Sequence, residues 1–320
     1  MVAGAAISGD LSDKAWLGEL RNLGEENGYY SDLGDGHAAV MIEQSHDVLF
    51  VAFESVFAAR AASETGMPVA FDVCERRGWS HLTILTQKQD WFRSESVWSH
   101  IDELDDLGFF EDFDRVIFYG VGMCAYAAAA YSVVAPGASV ILVSPQATLD
   151  RARTQWDDRF PSTRRMDFTS RYGYAPHMIE AAGLACVIFD PAESEDAMHA
   201  SLFQGDNVVH FPYRRGGAGS IEADLRAMSL ISSIAESAAN GSLTSSKLAR
   251  HMRQRRRHVP YLRALLSRVL VEDRPALTAW LCRAVLKHQP VPRFQQQLEK
   301  AEARLGKVDT PVNSADSQLS

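Results

Sequence analysis

The stretch VIFYGVGMCAYAAAA, residues 116–130, has the residue pattern of a strand, a sharp turn and the start of a helix. A turn of this kind exposes a nucleophilic oxygen at the edge of a sheet, where it can attack an acyl carbon. At the turn itself stands Gly122, which has no side chain, and the nearest thiol belongs to Cys124. The sequence therefore predicts an elbow, with candidate positions Gly120, Gly122 and Cys124, that lacks a hydroxyl nucleophile.

The elements around this elbow alternate in type. Seven short apolar runs, from HAAVMIE to NVVHFPY, lie within residues 37–213, and helical patterns separate them. Several runs are apolar at consecutive positions, as in strands that are buried on both faces. Strands alternating with helices predict a mostly parallel sheet with helices on both faces. From about residue 221 only helical patterns follow, which predicts a helical C-terminal extension.

Over residues 37–220 the chain resembles the α/β-hydrolase fold, whose motif G-x-S-x-G lies between the fifth strand and the next helix. Here Gly120 matches the first glycine, Gly122 stands where the serine belongs, and Cys124 replaces the second glycine. The resemblance implies an acid after a late strand, which is Asp190 here, with Asp196 as a second choice. It also implies a histidine after the last strand, but residues 214–220 contain none. We therefore expect no Ser-His-Asp mechanism.

The resemblance also implies where a ligand would lie. Half of the oxyanion hole is expected at residues 53–55 and the other half at the backbone N–H of Met123. A cap is expected around residues 151–178, where aromatic side chains and arginines together suit an anionic group. The predicted ligand-binding residues are Phe53, Ser55, Trp91, Arg93, Met123, Gln146, Arg164 and Arg171.

Enzymatic alternatives stay open at this point. Cys124 near the start of a helix is one candidate nucleophile, because a helix N-terminus lowers a thiol pKa. An acid/base set around Asp190 and His199 is another. In the elbow and in the stretch WDDRF…DFTSRYGYAP the chain is also similar to alphaproteobacterial chains labelled phosphoadenosine phosphosulfate reductase. That family uses a Lys-Asp-Ser nucleotide loop and a Glu-Cys-Gly-x-His motif, and this sequence has neither; Cys282 lies in WLCRAV.

The net charge of −9 argues against a nucleic acid or an anionic membrane as partner of the whole surface. The charge is uneven, because residues 1–120 carry 22 acidic and 8 basic groups, whereas residues 241–300 carry 13 basic and 3 acidic groups. The basic run at residues 250–258 therefore predicts either a helical face docked on the acidic body or a site for an anionic partner.

The four cysteines, Cys74, Cys124, Cys186 and Cys282, show no paired spacing, which predicts reduced thiols and no metal site. The N-terminus lacks the pattern of a signal peptide. The most apolar run, residues 125–143, is interrupted by Pro136 and Gly137 and so does not predict a membrane span. We expect a cytoplasmic protein without a cofactor.

The predicted organisation is an N-terminal helical segment (1–36), an α/β-hydrolase-like domain (37–220), a helical unit (221–305) and a disordered tail (306–320). The predicted function is that of a catalytically degenerate hydrolase-like protein. It would bind a small anionic or acyl ligand, or a protein partner.

Overall fold

Strands and helices alternate over most of the chain in the computed structural model, which describes residues 6–8, 11–63, 65–214 and 220–308. The strands are β1 Gly28–Gly34, β2 His37–Ile42, β3 Leu49–Ser55, β4 Ser80–Thr86, β5 Val116–Val121, β6 Ser139–Val143, β7 Leu184–Phe189 and β8 Val208–Pro212. The helices are α1 Asp13–Asn27, α2 Val56–Ala62, α3 Val69–Cys74, α4 Glu95–Asp106, α5 Met123–Tyr131, α6 Arg151–Thr154, α7 Ala175–Met178, α8 Ser194–Leu202, α9 Ser220–Ala227, α10 Leu230–Ala239, α11 Ser245–Met252, α12 Val259–Val271, α13 Pro275–Leu286 and α14 Pro292–Val308.

The eight strands of the described chain form one sheet in the order β1-β2-β4-β3-β5-β6-β7-β8. The strand β2 runs antiparallel to its neighbours β1 and β4, and every other pair is parallel. Because parallel strands end at the same edge, the carboxyl ends of β3 to β8 share one edge with the start of β2. This edge is where ligands bind in open α/β sheets.

Helices cover both faces of the sheet. On one face, alternate strand residues such as Val51 and Phe118 pack against the alanine-rich helix α5 and against α4. On the other face, Val40 and Leu85 pack against α1 and α3. The predicted fold class, a mostly parallel sheet with helices on both faces and a helical C-terminal region, is confirmed.

The chain divides into two compact units, Met1–Met252 and Arg253–Ser320. The first unit holds the sheet and the helices up to α11. The second consists, in its described part, of α12 to α14, with Leu266, Cys282 and Phe294 buried among its apolar side chains. In this unit Arg283 pairs with Glu302 at 2.6 Å and Arg304 with Asp273 at 2.7 Å.

Sequence reasoning missed β1, which lies within the segment 1–36 that was predicted to be helical. It is an edge strand with little burial, and its sequence GYYSDLG has no apolar run. The predicted disordered tail falls mostly outside the described residues, except that residues 306–308 close α14. No helix in the described ranges is both long enough and apolar enough to cross a membrane.

Candidate functional site

The elbow lies at the carboxyl edge between β5 and α5. Gly122 has φ 59° and ψ −120°, a conformation that side chains other than hydrogen rarely allow. Its N–H donates to Val143 O at 2.9 Å, and its carbonyl accepts from the N–H groups of Ala125 and Tyr126. The turn is therefore fixed on one side by β6 and on the other by the first turn of α5.

The two glycines of the elbow differ in what surrounds them. A Cβ on Gly120 would lie 2.2 Å from Cys124 O, so only glycine lets α5 pack this closely on β5. A Cβ on Gly122 would meet nothing closer than Gln146 Nε2, at 4.0 Å. The space for a nucleophile side chain is therefore present at Gly122, although the side chain is not.

The amide of Gln146 is oriented by a buried tryptophan. The indole N–H of Trp91 donates to Gln146 Oε1 at 2.7 Å, and Trp91 itself is 1% exposed against Phe160 and Phe168. Because the amide oxygen is taken by Trp91, the NH₂ group of Gln146 is the part that borders the space at Gly122. The first N–H groups of a helix have no intrahelical acceptor, so the N–H of Met123 adds a second donor at this edge.

The turn that carries Trp91 is held by the carboxylate of Asp90, which lies against His37. Trp91 and Phe92 have φ values of 53° and 55°, which are costly for aromatic residues. Asp90 accepts from Phe92 N–H at 3.1 Å, and its other oxygen lies 2.9 Å from His37 Nε2. The pair of His37 and Asp90 thus fixes the turn that places Trp91 beside Gln146.

Cys124 faces the interior. The Cys124 thiol is buried near the backbone amide of Ser55, at the end of β3. Burial raises the pKa of this thiol well above its ordinary value, and the nearby carboxylates of Glu54 and Glu222 raise it further. The Ser55 hydroxyl accepts from Ala58 N–H at the start of α2. The thiol therefore lies toward the end of β3, in the interior, and not toward solvent.

The arginines predicted to bind a ligand contact the protein itself. Arg93 donates to Asp167 O at 2.8 Å, to Arg171 O at 2.6 Å and to Ser170 Oγ at 3.0 Å. Arg164 donates to a backbone carbonyl of the cap and lies 3.5 Å from an aspartate beside it. The guanidinium of Arg171 pairs with Asp102 at 2.7 Å. Phe53 is likewise enclosed, between the rings of Phe92 and Tyr131.

His199 does not meet Asp190. Its Nε2 lies 2.9 Å from Asp157 in the cap, and its Nδ1 accepts from the N–H of Ala147. Asp190 directly follows β7 and accepts from Ala192 N–H in the following turn. The structure therefore gives His199 a different carboxylate from the one considered in the sequence.

A second buried group of charges was missed by sequence reasoning. Glu54, the penultimate residue of β3, is 5% exposed and accepts from the Val69 N–H at 2.6 Å. Its other oxygen lies 3.2 Å from Arg226 Nη2 of α9. The available signal was a carboxylate inside the apolar run DVLFVAFES, where an ionised side chain needs a partner.

A cavity of about 770 Å³ lies at the opposite, amino edge of the sheet. Val116, Ser139 and Leu184, near the starts of β5, β6 and β7, line it together with Phe110 and Ala238. None of the predicted site residues contributes to it. Within the residues that the structure describes, no group of three or more His, Cys, Asp and Glu side chains could hold a metal ion.

The strand order, the antiparallel second strand and the elbow between β5 and α5 define an α/β-hydrolase-like fold. The sequence matches no protein-family model and no curated protein. Among solved structures it is similar to an esterase of Pyrobaculum calidifontis (14% identity, 74% of this chain and 96% of that chain, TM-score 0.44). It is also similar to the capsule O-acetyltransferase of Neisseria meningitidis serogroup A (11% identity, 66% and 98%, TM-score 0.42). A third similar structure is the metagenomic carboxylesterase EstE1 (11% identity, 74% and 100%, TM-score 0.43).

Proposed function

We propose that this chain is a catalytically degenerate α/β-hydrolase-like protein that binds a neutral, acyl-bearing ligand at the elbow. The observation that carries the proposal is the combination at Gly122. The turn has a φ of 59° and room for a side chain, and Gln146 Nε2 faces that room, but Gly122 supplies no side-chain oxygen or sulfur.

The chemistry of this edge suits a hydrogen-bond acceptor. The NH₂ group of Gln146 and the N–H of Met123 are donors, and a carbonyl oxygen accepts from donors of this kind in oxyanion holes. Without a nucleophile, a bound acyl group is held but not attacked. The half-buried Gly122 and Met123 leave this edge accessible to a small ligand.

The charges nearby favour a neutral ligand over an anion. Arg93, Arg164 and Arg171 are engaged with carbonyls and carboxylates of the chain, so they are not placed to neutralise an added charge. The carboxylates of Glu54 and Glu222 disfavour a negative charge at Cys124, the neighbour of the turn. An ester or amide carbonyl avoids this repulsion, whereas a carboxylate or phosphate does not.

The enzymatic alternatives lack an accessible reactive group. A thiolate nucleophile needs exposure and a lowered pKa, and the buried Cys124 thiol has neither. A reductase mechanism would need an exposed Cys282, but this side chain is buried and its pKa is raised to about 11.

A direct test is a titration of the ¹⁵N-labelled protein with methyl hexanoate and, separately, with hexanoate. We expect methyl hexanoate to shift the signals of the Trp91 indole N–H and the Gln146 side-chain NH₂, and to bind at least about tenfold more tightly than hexanoate. The variant Gln146→Glu keeps an acceptor for Trp91 but loses the NH₂ donors. It should weaken methyl hexanoate binding about tenfold, the value of one hydrogen bond.

The matched control is Gln204→Glu, the same change at an exposed glutamine, which should leave binding unchanged. Equal binding by the Gln146→Glu variant, or preference for hexanoate, would contradict the acyl site.

A separate experiment tests whether reactive chemistry remains at the elbow. The folded protein is treated with a serine-directed fluorophosphonate and a mild thiol electrophile, and mass spectrometry with site mapping locates the labels. Rapid labelling of Cys124 in the folded protein would instead support an enzyme.

A further inference from the structure

Four charged side chains form a cluster beside the elbow, at the carboxyl end of β3, in which Glu54, Arg226 and Glu222 are largely buried and Asp72 is exposed at the rim. Arg226 of α9 lies 3.2 Å from Glu54, 2.8 Å from Glu222 and 3.9 Å from Asp72. Glu54 also accepts the Val69 N–H, so it joins β3 to the start of α3 as well as to α9. The cluster therefore connects three elements through one carboxylate.

The charges of this cluster do not balance. When all are ionised, the largely buried Glu54, Glu222 and Arg226 carry a net charge of −1, and the exposed Asp72 adds a further negative charge at the rim. The other titratable groups that face Glu54 are the Tyr119 hydroxyl of β5 and the Cys124 thiol of α5, and neither supplies a positive charge. Burial raises the pKa of Glu54 to about 7; the attraction of Arg226 only partly offsets this, and Glu222 adds to it.

The helix α9 is otherwise weakly anchored. Among the described side chains of α9, residues 221–227, the buried ones are Ile221, Leu225 and Asp224, and Asp224 accepts from the Tyr213 hydroxyl at 2.8 Å. At the junction with α10, Ser229 has φ 53°, a left-handed conformation that breaks the two helices apart. A short helix with few buried apolar contacts belongs to the low-stability part of a fold.

We propose that α9 is a proton-controlled flap, which Glu54 holds against the carboxyl end of β3 when it is neutral and releases when it ionises. In the closed state the neutral carboxyl group accepts the Val69 N–H without adding a buried charge. When Glu54 loses its proton, the closed state buries a second carboxylate charge beside that of Glu222, with the exposed Asp72 at the rim. Detachment of α9 then exposes Glu54 to water, which relieves that cost.

The flap controls the carboxyl edge of the sheet beside the elbow. Glu54 precedes Ser55, whose backbone amide lies near the Cys124 thiol in the first turn of the elbow helix. A proton binds more tightly to the closed state, so the ratio of open to closed molecules rises with pH. With Glu54 at its ordinary pKa in the open state, this ratio rises about 30-fold between pH 5.5 and 8.5 and levels off above pH 7.

The test is hydrogen–deuterium exchange of the α9 amides in the full chain, measured from pH 5.5 to 8.5 and corrected for intrinsic exchange rates. We expect the protection of residues 220–227 to fall about 30-fold over this range, while the amides of α5 serve as an internal reference without that change. The variant Glu54→Gln is neutral at every pH and similar in shape. Its α9 protection should be independent of pH.

A second variant separates a flap from a general loss of structure. Glu222→Gln leaves Glu54 in place but removes a carboxylate that raises its pKa, so the fall in protection should persist with its levelling point moved to lower pH. Constant α9 protection in the unmodified protein would overturn the proposal. So would the same pH dependence in a folded Glu54→Gln variant. None of these measurements depends on a ligand at the elbow, so the acyl site and the flap can fail separately.

Discussion

At the scale of single residues, the elbow separates two reasons for a glycine. Gly120 is required by packing, because a Cβ there would collide with Cys124 O at 2.2 Å. Gly122 is favoured only by its φ of 59°, since a side chain has room. The shape of the elbow therefore does not require a side chain at Gly122, because the packing glycine and the turn do not depend on one.

This distinction predicts unequal effects of the same substitution. Gly122→Ala should lower the free energy of unfolding by about 1–2 kcal/mol, the strain of a non-glycine residue with positive φ. Gly120→Ala should lower it by about 3 kcal/mol or more, because α5 must move away from β5. Urea unfolding followed by circular dichroism measures both. A larger loss at Gly122 than at Gly120 would show that the turn, rather than the packing, limits this site.

At the scale of elements, the segment 151–178, which the sequence predicts to be a cap, is fastened to α8 by a buried network. Asp157 accepts from His199 at 2.9 Å and from Arg159, whose guanidinium also contacts Asp196 of α8 at 2.7 Å. Burial alone would raise the pKa of Asp157, but the bonds from His199 and Arg159 hold it well below its ordinary value. The histidine considered as a base is thus part of what joins the cap to α8.

We expect Asp157→Asn to lower the free energy of unfolding by about 2 kcal/mol, because it leaves the Arg159 guanidinium short of one charge partner. Limited proteolysis within the cap should become faster as well. Asp158→Asn is the matched control. The Asp158 side chain is 92% exposed, and its carboxylate lies 3.5 Å from the guanidinium of Arg164. That variant should be indistinguishable from the unmodified protein. Equal effects of Asp157→Asn and Asp158→Asn on unfolding free energy and proteolysis would show that the network around Asp157 does not hold this segment in place.

The same elements show how far the sequence could predict the structure. Strands β2 to β8 coincide with apolar runs of the sequence, because strands that are buried on one or both faces need apolar side chains. The fold class can then be predicted from the alternation of these runs with helical patterns. The edge strand β1 is mostly polar, so no such pattern exists. The turn at Gly122 could be located because strand, glycine and helix are adjacent in the sequence.

The partners of the charged residues could not be predicted in this way. Arg93 contacts carbonyls 74 and 78 residues away, and Arg226 lies 172 residues from Glu54. Composition shows that arginines and aspartates occur in the cap, but it does not show which of them meet. A ligand-binding and a structural arginine therefore look alike until the loops are placed.

At the scale of the whole molecule, two buried groups make stability depend on pH in opposite directions. Burial lowers the pKa of His81, on β4, to about 3, so the folded state binds fewer protons than the unfolded state. Its contribution to stability is complete above about pH 6.5 and is lost as the pH falls toward 3. Glu54 has a raised pKa of about 7, so its contribution is complete below about pH 4.5 and is lost as the pH rises to 7.

Between pH 4.5 and 6.5 these two contributions offset each other, and single variants should reveal them. Relative to the unmodified protein, Glu54→Gln should gain up to about 3 kcal/mol of unfolding free energy as the pH rises from 4.5 to 7. Relative to the unmodified protein, His81→Phe should gain up to about 5 kcal/mol of unfolding free energy as the pH falls from 6.5 to 3. The changed packing against Phe71 adds an offset that does not depend on pH. Urea unfolding at a series of pH values measures the difference in unfolding free energy between each variant and the unmodified protein. The contributions of the other titratable groups cancel in this difference. Variant curves that run parallel to that of the unmodified protein would mean that neither group titrates differently in the folded state.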